Sequence, residues 1–388
     1  MSAYARERAQ DRIADLARQG HDVVTFWNEV TEVIEPVVPH YGGPCWYTVD
    51  PASLLMTSHY NPEMPVLPPE FLEFEYYGED VHDLVSVARS DSGVSTLHEA
   101  TGGDPSQSPR WRANMEMGGD QEMIVALRTR SGDPWASLGL YRETGQPLFS
   151  EEEIDFIRAA APFLGEGARR GLLVGEARDP ERPDAPGLVV LSPGGELQSS
   201  TPGVERWVSD LPGGDWDDGR LPTAVLSVAA RALRAAESDD GRSEVAVARV
   251  LSTSGTWVVV HGTPLVGQGP NRVAVIVEPA HPARITPLLM SAYGLTEREQ
   301  EVTRLVLQGD STIGIADRLT VSPHTVQEHL KRVFEKTGVR SRRDLVGKVF
   351  FSYYEPRLRD NEQRTIEGQP LRGGPAERRE RSCKPPAD

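Results

Sequence analysis

Four polar side chains, His324, Gln327, Glu328 and Lys331, recur at spacings of three, one and three residues in the segment SPHTVQEHLKRVFEKTGVRSRRDL, residues 322–345. On a helix that advances roughly 100° per residue they share one face. Their chemistry suits the edges of base pairs. Gln327 can offer a bidentate pair to adenine, Glu328 can accept from a cytosine amino group, and Lys331 can donate to guanine or phosphate. Around them stand groups suited to phosphate oxygens, which position a protein without reading sequence: Arg332, Arg340, Ser341, Arg342 and Arg343 beyond the face, and Ser311, Thr312, Ser322 and Thr325 near helix starts. Lys331 is the first lysine of a 388-residue chain whose formal charge is −17.

These residues need helices to hold them, and the local signals supply three and the start of a fourth. Thr296 with Glu299 forms a capping box, Val302, Leu305 and Val306 line one face, and Gly309 marks the stop. Ser311 caps a short second helix carrying Ile315, Ala316 and Leu319. After TVSP, Ser322 is an N-cap and Pro323 occupies the first helical position, where a missing N–H is harmless. Val326, Leu330, Val333 and Phe334 then face the other helices, and the four polar residues point away from them. Two helices joined by so short a turn are a helix-turn-helix, whose second helix enters the major groove. His329, at the edge of the apolar face, reads as a packed histidine.

The string LTEREQEVTRLVLQGDSTIGIADRLTVSPHTVQEHLKRVFEKTGVRSRRDLV resembles the LuxR-type four-helix DNA-binding domain. The anchors are Leu295-Thr296, Arg298-Glu299, Gly309, Ile315-Ala316, Leu319, Ser322, Thr325-Val326, His329, Lys336, Gly338-Val339 and Ser341-Arg342. The resemblance implies that the third helix reads DNA and that the last helix dimerises, with Val346, Val349 and Phe350 as the candidates for that seam. Two departures bear on affinity. Thr312-Ile313-Gly314 replaces the family's usual Asn-Lys-Glu, with a glycine that costs roughly 1 kcal/mol against alanine in a helix. Gln327 stands where a lysine is usual.

Charge separates this module from the rest. Residues 1–292 hold 23 arginines, no lysine and 43 acidic residues, whereas 293–350 hold 10 basic and 8 acidic ones, so a DNA contact has to come from the C-terminal part. In the acidic body, residues 3–19 and 22–37 read as helices and 44–60 as two strands about Asp50-Pro51. Residues 122–142 read as a hairpin turning at 131–134. A helix opens at Ser150, with Glu153 completing a capping box and Ile154, Phe156, Ile157, Ala160 and Leu164 facing inward. The Gly/Ser/Pro-rich stretch 102–109 reads as loop. Trp135 to Glu153, followed by a helix containing AAAPFL, resembles the closing hairpin and last helix of a GAF domain, which implies ligand enclosure or dimerisation. Beyond a charged, Pro-rich linker, 187–200 reads as a strand pair, 222–236 as a helix, and 245–280 as three strands. Here SxxGxWVVV resembles a late PAS hairpin; a plain α+β domain fits the same elements.

The expected architecture is multidomain: an α+β GAF-like sensor or dimerisation domain (1–174), a linker (175–187), an α+β PAS-like domain (188–285), an all-α four-helix LuxR-type helix-turn-helix domain (290–352), and a disordered tail (353–388). The expected function is a one-component, sequence-specific transcriptional regulator, cytoplasmic and homodimeric. Its partners would be double-stranded DNA, a small-molecule effector in the GAF-like domain and RNA polymerase. The alternative is an interaction scaffold or anti-regulator whose helix-turn-helix serves dimerisation. With no lysine before residue 331, neither a phosphate-binding GxxxxGK[ST] loop nor a receiver-type lysine exists upstream. No hydrolase or zinc-protease motif is present, and the dispersed His59, His82, His98 and His261 read as structural, so no enzyme, metal or cofactor is expected. No apolar run has the ~18 residues of a membrane span. Cys45 and Cys383 lack metal or redox spacing, and Cys45 reads as a buried strand residue.

Overall fold

The computed structural model describes residues 3–64, 67–76, 80–173, 186–237, 246–265, 271–280 and 288–345. Helices α1 (Ala3–Leu16) and α2 (Val23–Ile34) come first. Asp22 caps α2 through the Val24 and Thr25 N–H groups, and Phe26, Trp27, Val30 and Ile34 recur at helical spacing on its buried face. Strands β1 (Tyr41–Val49), β2 (Met56–Tyr60), β3 (Val94–Thr96), β4 (Gly119–Arg128) and β5 (Pro134–Glu143) form an antiparallel sheet in the order β2-β1-β5-β4-β3. Between β2 and β4 run α3 (Pro69–Tyr76), α4 (Leu84–Arg89), α5 (Leu97–Ala100) and α6 (Pro109–Glu116). The stretch read as loop at 102–109 is one, and it carries a 3-10 turn, Pro105–Gln107, capped by Asp104 and followed by the Ser108 cap of α6.

The sheet is covered on both sides. Along β4, Met123, Val125 and Leu127 pack with α1, α2 and α7 (Glu151–Leu173), and Ile124 and Ala126 pack with the opposite core that includes α3 and α4. Glycines let α7 come close. A Cβ at Gly165 would lie 2.6 Å from the Leu127 carbonyl oxygen, and one at Gly167 would lie 2.1 Å from the Phe26 ring. Ser150 and Glu153 satisfy each other's backbone N–H at the start of α7, in the reciprocal manner that the sequence suggested.

A second antiparallel sheet follows, built from β6 (Gly187–Leu191), β7 (Leu197–Ser200), β8 (Val247–Leu251), β9 (Trp257–Leu265) and β10 (Arg272–Pro279) in the order β7-β6-β10-β9-β8. Counted within each sheet, the two strand orders are the same. Helix α8 (Val204–Asp210) is an addition to the elements read from sequence, and α9 (Thr223–Glu237) lies where a helix was expected. One apolar core runs across both sheets. Two polar contacts fasten them further: the Arg249 N–H and guanidinium bond the buried Asp50 carboxylate, and the Arg231 guanidinium lies 5.2 Å from the centre of the Tyr76 ring.

Residues 288–292 are helical, and Leu288, Leu289 and Ala292 pack with Trp135, Trp257 and Val259. The Ser291 hydroxyl donates to Asp133. From there the chain enters α10 (Glu297–Leu307), α11 (Thr312–Leu319) and α12 (Pro323–Thr337), with a further helix beginning at 342–345. Val302, Val306, Ile315, Ala316, Val326, Leu330, Val333 and Leu345 form their shared core. The charged linker, the C-terminal tail, Cys383 and the dimerisation candidates Val346, Val349 and Phe350 lie outside the described residues. Among the described residues, no helix is long and apolar enough to cross a membrane, and no group of three or more His, Cys, Asp or Glu side chains is arranged to hold a metal ion.

Candidate nucleic-acid interface

Helix α12 begins as its sequence dictates. The Ser322 hydroxyl accepts from the Thr325 N–H at 3.0 Å, Pro323 stands in the first turn, and Gly338, at φ 67°, closes the far end in the left-handed region. Val326, Leu330 and Val333 are buried and Phe334 is half-buried against the same core. This fixes the helix's rotation and leaves His324, Gln327, Glu328 and Lys331 exposed together on the opposite face. Arg332 borders them. Among the described residues, no ion-pair or hydrogen-bond partner engages these five side chains.

The remaining candidates divide into two groups. Arg340 and Arg343 are exposed and, among the described residues, unengaged, like Arg332. The hydroxyls, by contrast, already serve the backbone: Ser311 accepts from the Gly314 N–H at 3.1 Å, Ser322 also meets the Thr325 hydroxyl at 2.8 Å, and Ser341 accepts from the Asp344 N–H at 3.0 Å. Ser311 and Ser341 can still donate outward, because a hydroxyl has one proton and two lone pairs, whereas of Ser322 and Thr325 one spends its proton on the other. Thr312 is half-exposed in the first turn of α11. Arg342 is half-buried, with one terminal nitrogen enclosed and unbonded, so it is less open to solvent than Arg340 or Arg343. His329 is half-buried with an enclosed, unpartnered Nδ1, as befits a packing residue. Of the residues that depart from the family's usual pattern, Ile313 is 66% exposed and Gly314 sits in the first turn of α11.

Lys336 is spent inside the module. Its ammonium donates to the Gly294 carbonyl at 2.9 Å and to the buried Glu299 carboxylate at 2.6 Å. Burial opposes the charge on Glu299, yet the Lys336 and Thr296 donors hold its pKa below the ordinary glutamate range. The sequence, which marked Lys336 as an anchor of the family pattern, did not show that it ties the end of α12 to the residue through which the chain enters the module.

Sequence reasoning also missed a polar cluster under the first sheet. Arg110 is buried between Glu75 and Glu122, Asn114 donates to Glu122 at 3.0 Å, the Tyr141 hydroxyl donates to it at 3.1 Å, and the Leu84 N–H donates to Glu75 at 2.7 Å. Burial pushes the Glu75 carboxyl up to about 7 against the pull of Arg110. Cys45, on the same side of the sheet, is a free, buried thiol that burial raises to about 11. The Ser108–Pro109 cap and an arginine one residue later were the only local hints of this cluster.

A capped two-helix unit that presents an exposed polar face on its second helix defines a helix-turn-helix module. The family of "Bacterial regulatory proteins, luxR family" matches residues 294–349, and these cover that unit. Over 52 residues the chain is 54% identical to a protein named as an HTH-type transcriptional regulator, Mb0914c, of Mycobacterium bovis, covering 13% of this chain and 6% of that one. It is 40% identical over 52 residues to the spore germination protein GerE of Bacillus subtilis, again 13% of this chain but 70% of GerE. Through this module the chain belongs to the luxR family of bacterial regulatory proteins. It spans only a small fraction of the mycobacterial relative's length. Among solved structures, the phage VqmA–DPO complex is matched at 18% identity over 44% of this chain and 83% of that one, with a TM-score of 0.22. So low a score leaves the upstream fold to be argued from its own geometry.

Proposed function

We propose that the chain is a one-component transcriptional regulator in which α12 reads duplex DNA and the two upstream sheet units form a sensory or dimerisation region. The observation that carries this reading is the exposed, unengaged set His324, Gln327, Glu328 and Lys331 on the second helix of the helix-turn-helix. In this reading His324, Gln327, Glu328 and Lys331 meet the bases, Lys331 reaching guanine or a phosphate, and Arg332, Arg340 and Arg343 hold phosphates. The first unit is GAF-like and the second PAS-like, a reading supported by two five-stranded antiparallel sheets with helices packed on them. A homodimer would set two reading helices about one helical turn, ~34 Å, apart on a palindromic site, with RNA polymerase as the downstream partner. No catalytic step is assigned to the chain.

The second reading, a scaffold whose helix-turn-helix serves protein contact, draws on the exposed Ile313. Selection of a random duplex library at low salt separates the two readings. The regulator reading requires the wild type to enrich a motif that the Gln327→Ala/Lys331→Ala pair loses. If the wild type enriches none, the scaffold reading replaces it.

A further inference from the structure

Between the two sheet units lies a cleft of about 730 Å³, within the ~300–1,000 Å³ range of small-ligand pockets. Neither unit completes it alone. Trp27, Tyr60 and Trp135 come from the first and Trp257 from the second. Trp27 is held flat by stacking on Trp46, with ring centres 5.7 Å apart and planes 8° apart. Trp27 and Trp135 are each 1% exposed and Trp257 6%, so the rings stand just behind the surface of the cleft, where an occupant meets them by parting them.

Their polar chemistry is that of a neutral site. The charged side chains among the lining residues are Asp22 and Arg249, and both are engaged: Asp22 by the Val24 and Thr25 N–H groups, Arg249 by Asp50. His59 also lines the cleft, and burial lowers its pKa to about 4, which leaves the ring uncharged near neutral pH. Hydroxyls of Thr48, Thr57 and Ser58 form a chain at 2.6 Å spacing along one wall. Two of the lining tryptophans, Trp27 and Trp135, keep buried indole N–H groups with no acceptor, and both His59 ring nitrogens are likewise unpartnered. Unmatched buried polar groups are uncommon in folded proteins, and these, two indole N–H donors and a neutral imidazole with one donor and one acceptor, belong to residues that line one cavity.

We propose that this cleft is an effector site for an uncharged, planar aromatic molecule bearing a carbonyl acceptor. On entry its rings part Trp135 and Trp257 and stack between them, and the buried indole N–H groups of Trp27 and Trp135 come within reach of the carbonyl. The site also adjoins the route to the helix-turn-helix. Trp135, Trp257 and Leu288, three of its lining residues, belong to the cluster that seats Leu289 and Ala292, directly before the module. An occupant that spreads the two tryptophans shifts the seat of that segment. This coupling rests on the DNA-reading function proposed above; ligand binding itself does not.

Flavone, a neutral planar ketone, serves as the probe against the full chain. Three of the seven tryptophans stand in the cleft, so saturable quenching of tryptophan fluorescence is expected, with affinity measured by calorimetry. Val24 lines the cleft and is 38% exposed in the first turn of α2. Val24→Glu keeps the fold and brings a hydrated carboxylate to the cleft, weakening flavone by about tenfold or more. Trp257→Leu weakens it as well, and naphthalene-2-sulfonate, planar but charged, binds more weakly than flavone by a similar factor. Absence of saturable quenching, unchanged affinity in folded Val24→Glu, or equal binding of the sulfonate overturns the site. Flavone binding with no change in the wild type's DNA affinity overturns the coupling. Intact flavone binding in a chain that selects no DNA overturns the DNA reading and leaves the site standing.

Discussion

Salt dependence tests the interface quantitatively. Lys331, Arg332, Arg340 and Arg343 are exposed and unengaged among the described residues, and Lys336 is subtracted because it is bonded to Glu299 and Gly294. If all four neutralise phosphates, the slope of log affinity against log salt is about −3.6 per module, or about −7 for two, at −0.9 per contact. Raising salt from about 50 to about 200 mM then weakens a two-module complex by roughly 10⁴-fold. Fluorescence anisotropy on a selected duplex at a series of salt concentrations measures this directly. Arg343→Ala should flatten the slope by about 1.8 for two modules while leaving sequence preference intact. Gln327→Ala should leave the slope and relax one position of the motif. A wild-type slope shallower than about −2, or an Arg343→Ala protein with an unchanged slope, refutes the assignment of these groups to phosphates.

Two further outcomes concern the upstream units. Asp50→Ala leaves the Arg249 guanidinium without its buried partner, and urea unfolding should show a loss of about 3 kcal/mol; a change below about 0.5 kcal/mol would mean that the pair contributes nothing to joining the sheets. Glu75 has a folded pKa of about 7 against an ordinary 4.5. The folded state therefore binds more protons than the unfolded one between those values, and stability falls as pH rises through that window. The contribution is about 3 kcal/mol. Glu75→Gln should remove it, so the difference between wild type and variant should vary across pH 4.5 to 7; parallel curves contradict the assignment.

What the sequence disclosed was local. The Thr296–Glu299 box, the Ser322–Pro323 start, the inward stripe Val326, Leu330, Val333 and the 131–134 turn each depend on residues a few positions apart, and each is present in the structure. Helix α8 was illegible because it is only two turns long and starts at Gly203, at φ 85°, with no side-chain cap. The 102–109 stretch is a loop, as read, but its Pro and Gly content masked two N-cap–proline pairs within it, Asp104-Pro105 and Ser108-Pro109. Asp50 and Arg249 are 199 residues apart, and Glu75, Arg110 and Glu122 come from three separate elements, so no window of sequence unites them. The same holds for the tryptophans of the cleft. The reading face of α12 was legible because one helix's periodicity defines it; the capture of Lys336 was not, because its partners lie on another element.

That capture gives the module a mechanical property. Nine residues separate Lys336 from Gln327, about 13 Å along a helix at 1.5 Å per residue. With its far end pinned to Gly294 and Glu299 and Val326, Leu330 and Val333 packed in the shared core, α12 moves with its module as one body, and a swing of the module about its point of entry is passed directly to the reading face. A tilt of about 10° about that point carries Gln327 through roughly 2 Å, most of a hydrogen bond's length and enough to separate register with a base edge from loss of it.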